Sequence, residues 1–396
     1  MSMLIHITTV PATLSFLRGQ MGYVRARGFD IHAISSSAPR LVTFGQEQGV
    51  TVHAVDMLRR ITPLKDIVAL VRLYRLLQRL RPTIVHAHTP KGGLLGMLAA
   101  LLAGVPVRIY HVHGLPLMTS QGIRRFILTL SERISCLCAH RVLCVSPSIR
   151  QVTIDLDLCP ADKSAVLCAG SIDGIDARNR FNPTRLGGDA RLETRRTWDI
   201  PTEARAIGFA GRVVRDKGIE DLIAAWALLR VRFPDLHLMI AGKLESQDPV
   251  SKQIMQAMHN DTRIHVMGHV RQMPLIYAAM DVVVLPTHRE GFGLVQAEAS
   301  AMALPVVSTA VPGCVDAVVD GVTGTLVPPR DPKALAEGIA RYLDDPDLSR
   351  RHGQAGRERV LRDFRPEDIW EATYQEYVRL LQEKGLPVPA SAEARP

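Results

Sequence analysis

What this sequence lacks narrows it first. None of its 396 residues falls in a run of the roughly 18 to 20 uninterrupted apolar residues that span a bilayer, and the longest such stretch, 92–107, is too short. Phe, Trp and Tyr together make up 5%, too few for the stacking platforms of a single-strand nucleic-acid binder. No C-x-x-C pair occurs among the six cysteines, at 136, 138, 144, 159, 168 and 314; five crowd within 33 residues, which suits neither a zinc site nor a disulfide framework and points to buried reduced thiols. The opening MSMLIHITTV has no basic leader segment and passes straight into strand-like sequence, so no secretory signal is expected and a cytoplasmic location is. The first loop, Thr8 to Thr13, has no G-x-G-x-x-G. A dinucleotide pocket needs those glycines for close backbone approach, which weighs against a dehydrogenase.

Acidic residues are scarce in the first half. Residues 1–180 carry 21 Lys+Arg against 10 Asp+Glu, or +11, whereas the remainder has 27 against 29, or −2, within a net charge of +9. The asymmetry implies an anionic partner for the N-terminal half: a membrane surface, a lipid diphosphate or nucleic acid.

What is present reads as a folded enzyme. Apolar residues make up 47% and charged residues 22%, near globular averages, and the length exceeds what one core usually supports. Strand-like runs at 3–9, 29–35, 51–56, 83–87, 106–110 and 141–145 alternate with helical stretches at 13–27, 64–81, 92–103 and 121–139. The pattern lapses at 170–190, GSIDGIDARNRFNPTRLGGD allowing for one flanking residue, and resumes with strands at 206–210, 236–241, 264–267, 282–285, 306–308 and 324–327 and helices that include 218–233, 271–280, 332–345 and 365–384. This predicts an α/β chain with two doubly wound, Rossmann-like domains facing across a cleft. The expected bounds are 1–180 and 181–363, then a helix at 364–384 packing back toward the N-terminal domain and a disordered tail at 385–396.

Ligands of such folds sit at the carboxyl ends of strands, and two strand ends carry chemistry. After 206–210 comes Gly211-Arg212-Val213-Val214-Arg215-Asp216-Lys217-Gly218, opening a helix. Arg212 and Lys217 there could clamp a diphosphate, or could be ordinary solvated charges. After 282–285 comes Glu290-Gly291-Phe292-Gly293 and a helix bearing Glu298. The two glutamates could form an acid/base pair, or divide their work, one holding sugar hydroxyls and the other ribose hydroxyls, because a carboxylate accepts paired hydrogen bonds from vicinal diols.

In the N-terminal half, His86 and His88, and His111 and His113, end two strands at i, i+2 spacing. Four imidazoles on one sheet face could hold zinc, although no Asp or Glu completes the set; structural histidines are the other reading. The 64–81 helix gathers Lys65, Arg72, Arg75 and Arg79 on one quadrant, opposite leucines and valines. That face either lies on anionic lipid or is merely solvated.

Gly211-Arg212 with Lys217-Gly218, Glu290 to Gly293 through Glu298, and Gly321 to Pro328 together resemble the donor-binding domain of family 4 glycosyltransferases of the GT-B fold. The N-terminal half resembles the subgroup that adds sugars to polyprenyl-diphosphate-linked acceptors in bacterial surface polysaccharide assembly. The resemblance implies that 1–180 binds acceptor and 181–363 binds donor. It implies that Arg212 and Lys217 bind the donor diphosphate, Glu290 the sugar and Glu298 the ribose, with the backbone N–H groups of Gly291, Phe292 and Gly293 completing the pocket and Arg271 packing against the base. It places His113, in HVHG, beside the donor sugar as a catalytic group. It implies a retaining, metal-independent transfer without cofactor, from a UDP-linked sugar to a lipid diphosphate-linked saccharide, on the inner face of the plasma membrane, which the basic N-terminal domain would meet.

The sequence departs from the family where Thr8-Thr9-Val10-Pro11-Ala12-Thr13 replaces a glycine pair; there Thr9 or Thr13 hydroxyls could reach acceptor or phosphate. Other readings are a sugar-nucleotide 2-epimerase or phosphorylase on the same two-domain plan. A nucleic-acid-binding protein is suggested by basicity alone and lacks a recognition motif.

Overall fold

Short Val, Ile and Leu runs with no polar face can be stable as strands only where both sides are covered, and here they form two parallel sheets. In the computed structural model, residues 2–245 and 248–389 are described. The chain divides into one unit of residues 1–174 with 366–396, and a second of residues 175–365.

The first unit holds β1 (Met3–Ile7), β2 (Asp30–Ser35), β3 (Thr51–Ala54), β4 (Ile84–His88), β5 (Val107–Val112), β6 (Arg141–Cys144) and β7 (Ser164–Ala165). Their order is β3-β2-β1-β4-β5-β6-β7, with every pairing parallel. The second unit holds β8 (Arg205–Ala210), β9 (Leu236–Ala241), β10 (Ile264–Gly268), β11 (Val282–Leu285), β12 (Val306–Thr309) and β13 (Gly324–Val327), ordered β10-β9-β8-β11-β12-β13 and again parallel throughout. Each is a doubly wound Rossmann-like domain. The strand order reverses beside β1 and β4 in one unit and beside β8 and β11 in the other, which is where ligands of such sheets bind.

The unit boundaries fall after residues 174 and 365, earlier and later than the expected 180 and 363. The C-terminal helix Pro366–Glu383 belongs to the first unit. There Gln20 Nε2 donates to Thr373 Oγ1 at 3.0 Å, Trp370 Nε1 to Asp173 Oδ1 at 2.5 Å, and Arg141 pairs with Glu376 at 2.8 Å. A Cβ at Gly19 would lie 1.9 Å from the Trp370 ring, so the fit depends on glycine. Of the tail expected to be disordered, 385–389 is placed: Leu386 N–H donates to Leu381 O, and Ser2 Oγ donates to Pro387 O at 3.1 Å. Residues 390–396 lie outside the described residues.

Helices that the apolar pattern did not announce include Pro39–Gln48, Pro147–Asp155, Lys252–Asn260 and Pro346–Asp363. The last buries His352, Gly353 and Gly356 between Leu348 and Val360, and a Cβ at Gly353 would lie 2.1 Å from Ala303 O. Close backbone approach replaces apolar periodicity there. The helix expected over 13–27 is interrupted, running as Pro11–Leu14, a tighter turn at Ser15–Leu17, and Arg18–Ala26.

At the amino edge of the second sheet, the fully buried Arg195 donates to Ala279 O (3.1 Å), Thr202 O (2.7 Å), Ala204 O (2.6 Å) and Asp281 Oδ2 (3.1 Å). Asp281 also accepts from Ala206 N–H at 2.7 Å and from Arg191 at 2.6 Å. Truncation would leave several buried acceptors unpaired, at a cost of about 3 kcal/mol. Arg195→Ala is therefore expected to lower the melting temperature by roughly 5–10 °C, read by differential scanning calorimetry, whereas Arg205→Ala, at an exposed pair with Asp235, should shift it by no more than a degree or two.

Candidate functional site

Because β8 and β11 are neighbours, with Val282 opposite Ile207 and Val283 opposite Gly208, the segments leaving their carboxyl ends lie side by side. Gly218, at φ +68°, makes this possible: a Cβ there would lie 1.8 Å from Pro286 O. Two ion pairs and a hydrogen bond fasten the two segments. Lys217 Nζ meets Glu290 Oε2 at 2.5 Å, Arg289 meets Asp216 at 2.6 Å, and His288 Nε2 meets Asp221 at 2.6 Å. His288 N–H and the Thr287 hydroxyl both donate to Asp216 O. The sequence marked Lys217 and Glu290 separately; it gave no sign that Asp216, Asp221, His288 and Arg289 would join them, since partners 67 to 73 residues apart leave no local pattern.

Within the glycine loop, Gly291 N–H donates to Glu290 Oε1 at 3.1 Å and Gly293 N–H to Gly313 O at 3.3 Å. Those two amides, expected to face a ligand, donate within the fold, one to its own loop and one to the loop after β12. Gly313 sits at φ +86° with Gly291 O 2.6 Å from where its Cβ would be. Phe292 is an anchor: its ring is buried and packs edge-on against Phe364, with centroids 5.0 Å apart.

Arg212 and Lys217 have different partners. Arg212 is exposed and pairs with Glu245, beyond β9, at 3.0 Å, whereas Lys217 turns to the β11 side. Arg271 is exposed at the carboxyl end of the edge strand β10, with β9 between it and β8. Glu298 lies on the helix Leu294–Ala301 and accepts from the Tyr277 hydroxyl at 2.9 Å. Desolvation pushes its pKa up to about 7, against the lowering effect of the Tyr277 donor and of Arg180. Glu290 and Glu298 thus have separate partners, Lys217 and Tyr277.

In the first unit, register sets His6 beside His86 and His88 beside His111. The four expected histidines gain His6, and they form two hydrogen-bonded chains. His6 Nδ1 meets His88 Nε2 at 3.0 Å and His88 Nδ1 meets His113 Nε2 at 3.0 Å. Tyr377 OH meets His86 Nδ1 at 2.7 Å, and His86 Nε2 meets His111 Nδ1 at 3.3 Å. Two trios, His6 with His86 and His88, and His88 with His111 and His113, bring ring nitrogens within 4.8 Å. The 3.0 Å contacts are those of N–H···N bonds between neutral imidazoles, which a cation would have to replace. Burial keeps the rings neutral: it lowers the pKa of His6 to about 3 and of His113 to about 4, and those of His86, His88 and His111 well below 6.5.

At the first unit's own reversal of strand order, the Thr9 and Thr89 hydroxyls bond at 2.7 Å and Gly92 N–H donates to Thr9 Oγ1 at 3.0 Å. The Thr9 hydroxyl, expected to reach a ligand, is engaged within the fold. Thr89 is held at φ +68°, ψ 153°, a region costly for a β-branched residue.

Residues 190–359 match the family model described as glycosyl transferases group 1, and residues 15–170 match the glycosyl transferase 4-like domain. The capsular polysaccharide biosynthesis glycosyltransferase CapM of Staphylococcus aureus is 34% identical over 380 residues, covering 96% of this chain and 98% of CapM. The UDP-Gal:alpha-D-GlcNAc-diphosphoundecaprenol alpha-1,3-galactosyltransferase of Escherichia coli is 26% identical, covering 81% of this chain and 82% of that enzyme. Among solved structures, sucrose-phosphate synthase from Thermosynechococcus elongatus superposes with a TM-score of 0.79 at 22% identity, covering 97% of this chain and 100% of that one. Anabaena HepE in complex with UDP-glucose gives 0.79 at 18%, covering 96% and 100%. These two establish the fold.

A histidine whose pKa is lowered on folding contributes stability that is fully present above its unfolded pKa of about 6.5 and is lost as pH falls toward the folded value. With five such rings in one cluster, the melting transition of the first unit is expected to fall steadily from pH 6.5 to pH 4. His88→Asn should flatten that dependence; calorimetric scans at half-unit pH intervals measure both.

Proposed function

The chain belongs to the family 4 glycosyltransferases of the GT-B fold, and from that premise we propose that it moves a hexosyl or N-acetylhexosaminyl group, with retention of configuration, from a UDP-linked sugar to a lipid diphosphate-linked saccharide in bacterial surface polysaccharide assembly. The observation that carries the reading is the Lys217–Glu290 pair at the strand-order reversal. A cation and a carboxylate joined at 2.5 Å neutralise one another until something more anionic arrives. A donor diphosphate, with its higher charge and several oxygens, competes for Lys217 at the start of the helix Ile219–Arg232, where the dipole also favours anions. Glu290 is then released to accept sugar hydroxyls. The capsule-related name of CapM and the lipid-linked acceptor in the name of the E. coli relative support the acceptor class, and UDP-glucose in the HepE structure supports the donor class.

As the bond to the leaving phosphate breaks, negative charge grows on the diphosphate. Lys217 and the helix terminus stabilise it without a metal. Arg212 adds a second cation once it exchanges Glu245 for phosphate. Glu298, with a pKa near 7, takes the ribose diol and becomes the better acceptor when ionised. His113, neutral and only partly buried, is assigned to the developing oxocarbenium-like centre, where a cation would be repelled and a neutral imidazole or its carbonyl is not. Arg271 is assigned to the nucleotide base. No cofactor is required.

Glu290→Gln is expected to lower transfer by about 100-fold with an unchanged circular dichroism spectrum; retained activity removes Glu290 from the mechanism. Lys217→Ala should weaken UDP binding about tenfold or more in calorimetry, and EDTA should leave turnover unaltered. Incubation with a UDP-sugar alone separates the 2-epimerase reading, which requires epimerised product without any acceptor.

A further inference from the structure

The two histidine trios near the carboxyl ends of β1, β4 and β5 differ in shape. Three imidazoles on one four-coordinate zinc, with Zn–N bonds of about 2.0–2.1 Å, hold their nitrogens about 3.4 Å and their ring centroids about 5.2 Å apart. The His88–His113, His111–His113 and His88–His111 centroids are 5.2, 5.0 and 5.5 Å apart, a nearly equilateral triangle. In the inner trio, by contrast, the His86 and His88 rings stack at 4.2 Å, too close to share an ion, and His6, His86 and His88 are all buried. His113 is only partly buried. The outer trio therefore has both the spacing of a metal site and a corner through which an ion and its water can enter.

A ligating histidine ordinarily donates its second N–H to an acceptor that fixes its tautomer. Two of the three rings already have such a partner. His88 Nε2 lies 3.0 Å from His6 Nδ1, and His111 Nδ1 lies 3.3 Å from His86 Nε2, whose own Nδ1 meets Tyr377 OH at 2.7 Å. Protons on His88 Nε2, His111 Nδ1 and His86 Nδ1 satisfy all of these contacts and leave lone pairs on His88 Nδ1 and His111 Nε2. The 3.0 Å contact between His88 Nδ1 and His113 Nε2 then holds one proton, supplied by His113. An ion takes that proton's place: His113 shifts its proton from Nε2 to Nδ1, and the rings neither gain nor lose one. Rotation about the broad terminal torsions of the side chains brings nitrogens that already lie within 4.8 Å of one another to ligand spacing. Three nitrogens without a carboxylate suit zinc or cobalt(II), not magnesium or calcium, which take oxygen ligands.

We propose that His88 Nδ1, His111 Nε2 and His113 Nε2 bind a zinc ion, with water in the fourth position, and that the filled site inhibits transfer. The ion occupies the lone pair of His113 and sets positive charge beside a centre that is itself becoming positive. The chain works without the ion and is stopped by it. The site rests on the geometry of the rings alone; the inhibition rests on the assignment of His113 to the reacting centre.

The test titrates the untagged full chain, stripped with EDTA and dialysed, with zinc chloride against a chromophoric chelator, and with cobalt(II) chloride. The expected result is one equivalent of zinc bound and visible cobalt d–d bands of tetrahedral intensity. Both should be lost in His113→Ala, a change at a partly exposed side chain that keeps a cooperative melting transition. His6→Leu, which removes the acceptor behind His88 but no ligand, should weaken zinc binding about tenfold or more. No binding by the unmodified chain, binding that neither variant alters, or binding lost in His6→Leu and kept in His113→Ala overturns the site. Zinc at saturation should abolish sugar transfer by the metal-free enzyme, and EDTA should restore it. Stoichiometric binding that leaves transfer unchanged upholds the metal site but overturns the inhibition, and with it the placing of His113 at the reacting centre. Absence of binding overturns the site, while transfer by the metal-free enzyme still upholds the glycosyltransferase reading.

Discussion

A parallel strand can join its neighbour only after the chain has crossed back over a face of the sheet, and the crossover is almost always right-handed. Everything at the candidate site depends on that constraint. Starting in the middle at β8, winding outward through β9 and β10, and then returning to place β11 on the other side of β8 leaves two carboxyl ends adjacent with no helix between them. Lys217 and Glu290, 73 residues apart in sequence, meet at 2.5 Å there. The same constraint operates in the first unit, where β1 and β4 diverge and Thr9 meets Thr89. In that unit, however, hydroxyls and histidines occupy the place that charged residues hold in the other.

The two units use opposite electrostatic strategies. The second keeps full charges in pairs that are partly open to water, where an incoming anion can compete for them at modest cost. The first removes charge: burial holds a stack of imidazoles neutral, linked nitrogen to nitrogen from His6 through His88 to His113. Each neutral ring has one N–H and one lone pair, so the orientation of one proton fixes that of the next. The direction of the chain at His113 is thereby coupled to a residue on β1 that no ligand need touch.

Much of this was legible in the sequence, for identifiable reasons. The apolar runs Val282–Leu285 and Ile84–His88 announced strands because a doubly covered strand must be apolar at every position except where function intervenes. The glycine at 218 marked the turn into the following helix, where a Cβ would meet the Pro286 carbonyl. What was not legible depends on partners distant in the chain. Asp216 and Arg289 look like surface charges until β8 and β11 are paired. His6 looks like a lone strand histidine until register sets it beside His86. The helix Pro346–Asp363 buries His352, Gly353 and Gly356 between Leu348 and Val360, so only the ends of its inner face are large apolar side chains, and the stripe Ile123, Phe126, Ile127 and Leu130 has the periodicity of a core face but is exposed. A spacing rule reports that one face is apolar; only the fold decides which way it points.

The first unit is discontinuous: its last helix, Pro366–Glu383, comes after the whole of the second unit. Tyr377, which caps the His86 chain, is separated from it by 291 residues. On the ribosome, the segment 175–365 is complete and free to fold while residues 1–174 still lack the helix that covers His86 and Gly19. The usual order of synthesis, in which the earlier domain finishes first, is inverted for this chain. Until residues 366–383 have been made, the first unit lacks the helix that sets Tyr377 against His86 and Trp370 against Gly19.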